Sequence, residues 1–383
     1  MSVTAAKGFS AAGVIAGIKA SGKPDLALVV NEGPEAHAAA VFTSNRFQAA
    51  PVVWTKQALA TSRLAAVVLN SGGANACTGS AGLADAKQMA SWVAAEVGCA
   101  PADVAVCSTG LIGVRLPMPA VLDGIQLAAQ DLSSSGGDSA AEAIMTTDTV
   151  AKQASHTSPS GWTVGGMAKG AGMLAPALAT MLVVLTTDAV VSAATLDEAL
   201  RIATGFTFDR TDSDGCMSTN DTVILMSSGA AGAADPAEFT EALTGVCASL
   251  AKQLLADAEG ASHDIEVRVD GAASEADALE VARAIARSNL FKCAVFGNDP
   301  NWGRVLASAG SVQAPFDPEH VDVAFNGVPV FVDGQLGADR SQVDLTGRQV
   351  LVEVNLHAGG ESAAIWTNDL TYGYVKENAE YSS

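Results

Sequence analysis

Apolar and polar positions along the chain fall into two kinds of block. Leu26-Ala-Leu-Val-Val30, Leu64 to Leu69, Val104 to Cys107 and Met181 to Leu185 are unbroken apolar runs bounded by Gly, Pro or polar residues. Such runs predict strands buried on both faces. The other blocks have helical spacing. One spans Gly82 to Val97, with Leu83, Met89, Trp92 and Val93 on one stripe, and another spans Pro117 to Leu132. The clearest opens at Asp235-Pro236, an N-cap followed by proline at the first helical position. Its Phe239, Leu243, Val246, Leu250 and Leu254 recur every three or four residues, so one face is buried. Thr195 and Glu198 read as a capping box for a helix through Ile202, Ser274 caps a helix to Arg287, and Asp138 caps a short one ending at Met145. Further on, Ile265 to Val269 alternates like a half-buried strand, and Val321 to Asp333 reads as a hairpin about Asn326-Gly327. A second hairpin is expected to pair Val350–Leu356 with Ser362–Trp366. Alternation of strand and helix predicts an α/β fold.

The length, 383 residues, allows a large core and two lobes, and 49% hydrophobic with 16% charged residues fits a compact chain. A net charge of −20 without any basic run argues against nucleic acid or an anionic membrane as partner. No apolar stretch approaches the roughly 20 residues of a membrane span. The start, Met1-Ser-Val-Thr-Ala-Ala-Lys-Gly, lacks a signal-peptide layout, so a soluble cytoplasmic protein is expected. Six cysteines without a CxxC pair read as reduced, mostly buried thiols. The five histidines are isolated, and Asp209, Asp212, Asp214 and Asp221 do not have EF-hand spacing, so no metal site is expected. Nor is there a Gly-x-Ser-x-Gly signature. An enzyme without histidine or metal needs another base.

Lys169-Gly-Ala-Gly-Met-Leu-Ala-Pro-Ala-Leu-Ala-Thr180-Met-Leu offers one. Gly170, Gly172 and Pro176 suit a loop of unusual backbone conformation, and Thr180 stands where that loop becomes a buried strand. A cut after Ala179 makes Thr180 an N-terminus whose α-amino group, titrating at about 7.7–8.0, sits beside its own hydroxyl as general base. A plain strand start accounts for the same pattern. Ser108-Thr-Gly-Leu-Ile-Gly113 is a turn after a strand, where backbone N–H groups and a hydroxyl can converge on one oxygen; a tight βα turn needs nothing more. Thr146-Thr-Asp-Thr149 clusters hydroxyls about a carboxylate, and Glu259 stands at a helix end, where solvated carboxylates are common. The polar, glycine-rich Asn70 to Gly79 loop suits either a simple turn or an anion cradle.

These segments together resemble the ornithine acetyltransferase family, also called glutamate N-acetyltransferases, of arginine biosynthesis. The resemblance is carried by Lys-Gly-x-Gly-Met-x-x-Pro-x-x-Ala-Thr-Met-Leu at 169–182 and Asn-Ser-Gly-Gly-Ala-Asn-Ala-Cys-Thr-Gly at 70–79, with Gly73 where asparagine is usual. Ser-Thr-Gly-x-Ile-Gly, Met-Thr-Thr-Asp-Thr, Ser218-Thr-Asn-Asp-Thr222, Asp-x-Glu-Gly-Ala and Gly297-Asn-Asp-Pro-Asn-Trp-Gly-Arg304 add to it. Departures are Gly215-Cys-Met217 and His263, where many relatives carry lysine.

The family implies a layered sandwich of helices packed on sheets, formed jointly by fragments 1–179 and 180–383 after self-cleavage at Ala179–Thr180. It implies two copies of each fragment. Thr180 becomes the nucleophile for an acetyl group passed from N-acetylornithine to glutamate, and Thr109 and Gly110 stabilise the oxyanion. Thr146, Lys169, Glu259, Asn378 and Ser383 join Thr180 in binding substrate, with Lys169 contacting substrate or assisting the cut. No metal or organic cofactor is implied. Acetyl-coenzyme A is an additional donor in some relatives, but no phosphate-binding cluster here argues for it. Two rivals are an N-terminal-threonine amidohydrolase or aminopeptidase, with water as acceptor, and a non-enzymatic ligand-binding protein.

Overall fold

The computed structural model describes residues 2–173 and 181–380. Its strands sort into three sheets. The first has the order β1 (Phe9–Val14), β2 (Leu26–Asn31), β4 (Ala66–Gly73), β5 (Val104–Leu111). The second runs β3 (His37–Phe42), β9 (Thr222–Ser227), β8 (Leu182–Thr187), β7 (Thr163–Lys169), β6 (Lys152–Thr157). The third runs β13 (Gln335–Leu336), β12 (Val328–Val332), β11 (Asp322–Phe325), β14 (Gln349–Asn355), β10 (Asp264–Ala272), β15 (Glu361–Asn368).

The unbroken apolar runs form strands because both of their faces are covered. Leu28, Val30, Val68 and Val106 pack under α2 (Gly79–Val97) and α3 (Met118–Gln130). Their neighbours Ala27, Val29, Val67, Leu69 and Ala105 point the other way, onto Leu182, Val184, Ile224 and Met226 of the second sheet. On the far face of that sheet Val183, Leu185, Val223 and Leu225 meet α5 (Ala193–Phe206) and α6 (Pro236–Ala256). Alternate residues of each strand thus serve different cores, and the layers run helix, sheet, sheet, helix. Two shorter helices, α1 (Ala50–Ala58) and α4 (Gly137–Ala143), pack against β5 and β1. The third sheet buries one face against α7 (Glu275–Ala286), α8 (Asn289–Phe296) and α9 (Trp302–Ala309), and α10 (Tyr372–Glu380) follows its last strand.

Several expected elements stand. Asp235 accepts from Ala237 and Glu238 N–H as the N-cap of α6, whose five periodic residues are all buried. Ser274 caps α7 through Asp277 N–H. Asn326 and Gly327 both take positive φ (48° and 80°) in the β11–β12 turn.

Others move. The cap of α5 is Ser192, three residues ahead of Thr195, whose N–H it accepts, and the helix begins at Ala193. Asp138 lies in the first turn of α4, one residue inside a helix whose cap position is Gly136. On α2 the buried stripe is Gly82, Ala86, Met89, Ala90 and Val93, and Trp92 is exposed. Only Cys107 and Cys247 of the six thiols are buried. The second hairpin is absent: β14 and β15 flank β10, parallel on one side and antiparallel on the other. The connecting loop arches over the end of β10, with Ala358 and Gly359 N–H donating to the Gly271 carbonyl.

Candidate active site

The two facing sheets bring their strand ends together at one edge. β7 ends at Lys169, and β8 pairs Leu182 beside it at that edge. Asn220, just ahead of β9, donates from Nδ2 to the carbonyls of Ala74 (2.6 Å) and Ser108 (2.8 Å), locking the second sheet to the ends of β4 and β5. Ser108 Oγ donates to Asn70 Oδ1 at 2.6 Å, so the polar groups of the Asn70 loop are spent on holding the turn. Gly110 has φ +125°, and a Cβ there would come within 2.6 Å of the Gly72 and Gly73 backbone, so this close approach requires glycine.

Two fully sequestered lysines sit at this edge. Lys152 Nζ donates to Asp148 Oδ1 and Asp257 Oδ2, each at 2.6 Å. Lys169 Nζ instead donates to Thr109 Oγ1 at 3.3 Å, with Asp148 Oδ2 4.0 Å away. Asp148 also accepts from Gly170 N–H (2.6 Å) and Thr146 N–H (2.9 Å). Burial by itself would raise the Asp148 carboxyl, but Lys169, Lys152 and these bonds outweigh it and hold it down to about 2. Burial pushes the Lys169 ammonium down, with Asp148 pulling the other way. Met181 N–H, the first described group after residue 180, donates to Asp221 Oδ1 at 3.1 Å. Asp221 is wholly buried, and that burial raises its carboxyl well above the usual carboxylate range.

Thr109, Gly110, Thr146 and Lys169 therefore gather at one place. Glu259 and Asn378 form a second group: Asn378 Nδ2 donates to Glu259 Oε2 at 2.9 Å. Residues 170–172 tie the groups together, since Glu259 N–H donates to the Ala171 carbonyl at 2.9 Å and a Cβ on Gly172 would lie 2.6 Å from Glu259 Oε2. Glu259 opens on a small cavity of about 140 Å³ with Asp214, Lys292, Asp369 and Tyr374. Ala179, Thr180 and Ser383 lie outside the described residues.

A larger cavity of about 680 Å³ is lined by Lys19, Lys23, Gly110, Glu142, Thr146 and Asp148, among others. Lys19 escaped the sequence reading, being one lysine in a Gly-flanked loop of ordinary composition. Its loop is shaped by buried Asp25, whose carboxylate accepts from the N–H groups of Ala16 (2.6 Å), Ile18 (2.6 Å) and Lys19 (2.8 Å). Asp148 was visible within its Thr-rich motif but not as the group that organises both lysines.

A layered α/β scaffold thus gathers polar strand-end loops, buried lysines and two cavities at one edge. Residues 10–383 match the ArgJ family, and the chain belongs to that family, one of bifunctional arginine-biosynthesis enzymes. It is 59% identical over 384 residues to the arginine biosynthesis bifunctional protein ArgJ of Streptomyces coelicolor, covering 100% of both chains. It is 58% identical over 384 residues, with the same full coverage, to that of Thermobifida fusca. Among solved structures, the ornithine acetyltransferase of Mycobacterium tuberculosis, complexed with ornithine, is 57% identical with a TM-score of 0.46, covering 47% of this chain and 96% of that one. The family read from the motifs is the one that the whole-chain match returns.

Proposed function

We propose that the chain is a glutamate N-acetyltransferase that severs itself at Ala179–Thr180 and carries the acetyl group on Thr180. Thr180 Oγ, losing its proton to its own α-amine, attacks the acetyl carbonyl of N-acetylornithine. The carbon–nitrogen bond breaks, the amine returns the proton to the leaving nitrogen, and ornithine departs from an acetyl-threonine ester. Glutamate's amine then attacks that ester, a proton passes back to Thr180 Oγ, and N-acetylglutamate leaves. The Thr109 hydroxyl and the Gly110 N–H stabilise the oxyanion in both halves. Thr146, Lys169, Glu259, Asn378 and Ser383 hold the substrates, Glu259 being suited to the ornithine side-chain amine.

One observation carries this reading: the chain is held on either side of the proposed cut, ahead of it by the Ser-Thr-Gly turn and behind it by Asp221, whose neighbour Asn220 donates to the Ser108 carbonyl. Lys169, ahead of the cut, reaches Thr109 Oγ1 at 3.3 Å, and Met181, behind it, is fixed by Asp221 at 3.1 Å. The sheet order supports fragments 1–179 and 180–383 sharing one core, because β8 and β9 lie between β7 and β3. On the family's pattern, the assembly has two of each fragment.

Intact-mass spectrometry tests the cut: two species are expected, one beginning at Thr180, and a single uncut chain overturns it. Mixing N-acetylornithine with glutamate, without coenzyme A, should yield N-acetylglutamate and an acetylated C-terminal fragment. Acetate alone would mark the amidohydrolase instead. Thr180→Ala should stay uncut and inactive.

A further inference from the structure

The proposed reaction sets a recognition problem. Donor and acceptor share an α-carboxylate, but their side chains carry opposite charges, an ammonium on ornithine and a carboxylate on glutamate. A carboxylate such as Glu259, which suits the first, repels the second, so one polar group cannot serve both. The site must offer a cation elsewhere.

Lys19 meets that need. Its Nζ donates to the carbonyls of Pro24 (2.8 Å) and Met145 (2.7 Å), which uses two of the ammonium's three N–H donors. Among the described residues no carboxylate lies within ion-pair distance of it. The nearby Asp25 is occupied by three backbone N–H groups of the same loop, and Asp148 by Lys152 and backbone. Met145 directly precedes Thr146, so the ammonium is anchored to the segment proposed to bind substrate, in the cavity that also exposes Gly110. Glu259 does not line that cavity. Lys23 adds a second, exposed cation to the lining, which also includes the exposed Glu142. In a chain with 21 basic against 41 acidic residues, this cavity balances its two carboxylates, Glu142 and Asp148, with two lysines, and Asp148 is already paired with Lys152. Half-burial presses the Lys19 ammonium down to about 8, with Lys169 pushing the same way, so an anion placed against it relieves a desolvated charge.

We propose that Lys19 is the specificity-determining residue for the acyl acceptor, its free N–H binding the side-chain carboxylate of glutamate in the Lys19–Thr146 cavity while ornithine's side chain is held at Glu259. The assignment rests on the acetyl-transfer reading above.

Steady-state kinetics of the wild type, Lys19→Met and Lys19→Arg, with each substrate varied in turn, test it. For Lys19→Met the KM for glutamate should rise roughly ten- to a hundredfold, the loss of a hydrogen bond to a charged group. The KM for N-acetylornithine should move several-fold less, and the preference for glutamate over glutamine as acceptor should shrink by the same factor as the glutamate KM rises. Lys19→Arg should recover much of the loss. A merely structural lysine would raise both KM values together and lower the melting temperature; that result, or an unchanged KM for glutamate, overturns the assignment. Absence of any acetyl transfer by the wild type would overturn the underlying reading instead.

Discussion

The paired sheets and the third sheet are built by the same hydrophobic rule but differ in what they bury with it. The third sheet and its helices sequester few polar or charged side chains, Lys292 and, at the end where β10 pairs β15, Asp264, Thr367 and Asn368. The edge of the paired sheets sequesters Asn70, Ser71, Ser108, Thr109, Asp148, Lys152, Lys169, Asn220 and Asp221. Burying a charge costs heavily unless it is paired, so such a concentration costs stability and persists where geometry of charge matters. Within it the two lysines divide the labour. Lys152 is saturated by two carboxylates and acts as a strut, whereas Lys169 faces a hydroxyl and lies 4.0 Å from its nearest carboxylate, which leaves it available to a ligand.

The contrast can be broken most sharply at the strut. Lys152→Met leaves Asp148 and Asp257 buried without their cation and should cost about 3–5 kcal/mol in urea unfolding, with loss of acetyl transfer because Asp148 no longer positions Lys169 and Thr146. An unfolding midpoint within error of the wild type would show that the triad contributes nothing. Next in size, Thr109→Val should leave folding nearly intact and lower kcat about 10²–10³-fold, as expected for one lost oxyanion donor. A kcat within twofold of the wild type removes Thr109 from that role.

Acid comes third. The Asp148 carboxyl is held below its ordinary 3.8, at about 2, so it favours the folded state above about pH 4. That stabilisation, on the order of 2 kcal/mol, should fade as pH falls from about 4 to about 2. Asp148→Asn should lose this part of the pH dependence, read by urea melts across the window. The smallest effect belongs to the third sheet. Ile265→Val removes one buried methylene group and should cost about 0.5–1.5 kcal/mol with no change in KM for either substrate. A kinetic defect there would mean that the two regions are coupled.

What could be read beforehand follows the range of the interaction. The long helix α6 was legible because Asp235, Pro236 and its apolar face are all local signals, and the β11–β12 turn because Asn-Gly favours paired positive φ angles. The straddling of β10 by β14 and β15 was not, since pairing partners are chosen by distant chain, and proximity in sequence pointed to a hairpin. Ser192 displaced the Thr195–Glu198 box because two capping signals stood three residues apart and the earlier hydroxyl accepts from Thr195 N–H itself. At the site, Thr109, Lys169 and Glu259 were marked by motif, and so were Asp148 and Asp257, but Lys19, Lys152 and the joining of the two carboxylates about Lys152 were not. Their significance lies in what surrounds them in space, and composition along the chain does not record that.

The interlocking of the facing sheets has a consequence for when the protein becomes active. Lys169 meets Thr109 only after the first and second sheets have docked, whereas Met181 meets Asp221 once β8 and β9 have paired within the second sheet. A chain with either layer misassembled lacks the geometry for the proposed scission and so never acquires its attacking group. On the proposed scission, maturation is a quality gate: the catalyst would be armed by the completeness of its own architecture, and immature chains would stay chemically silent.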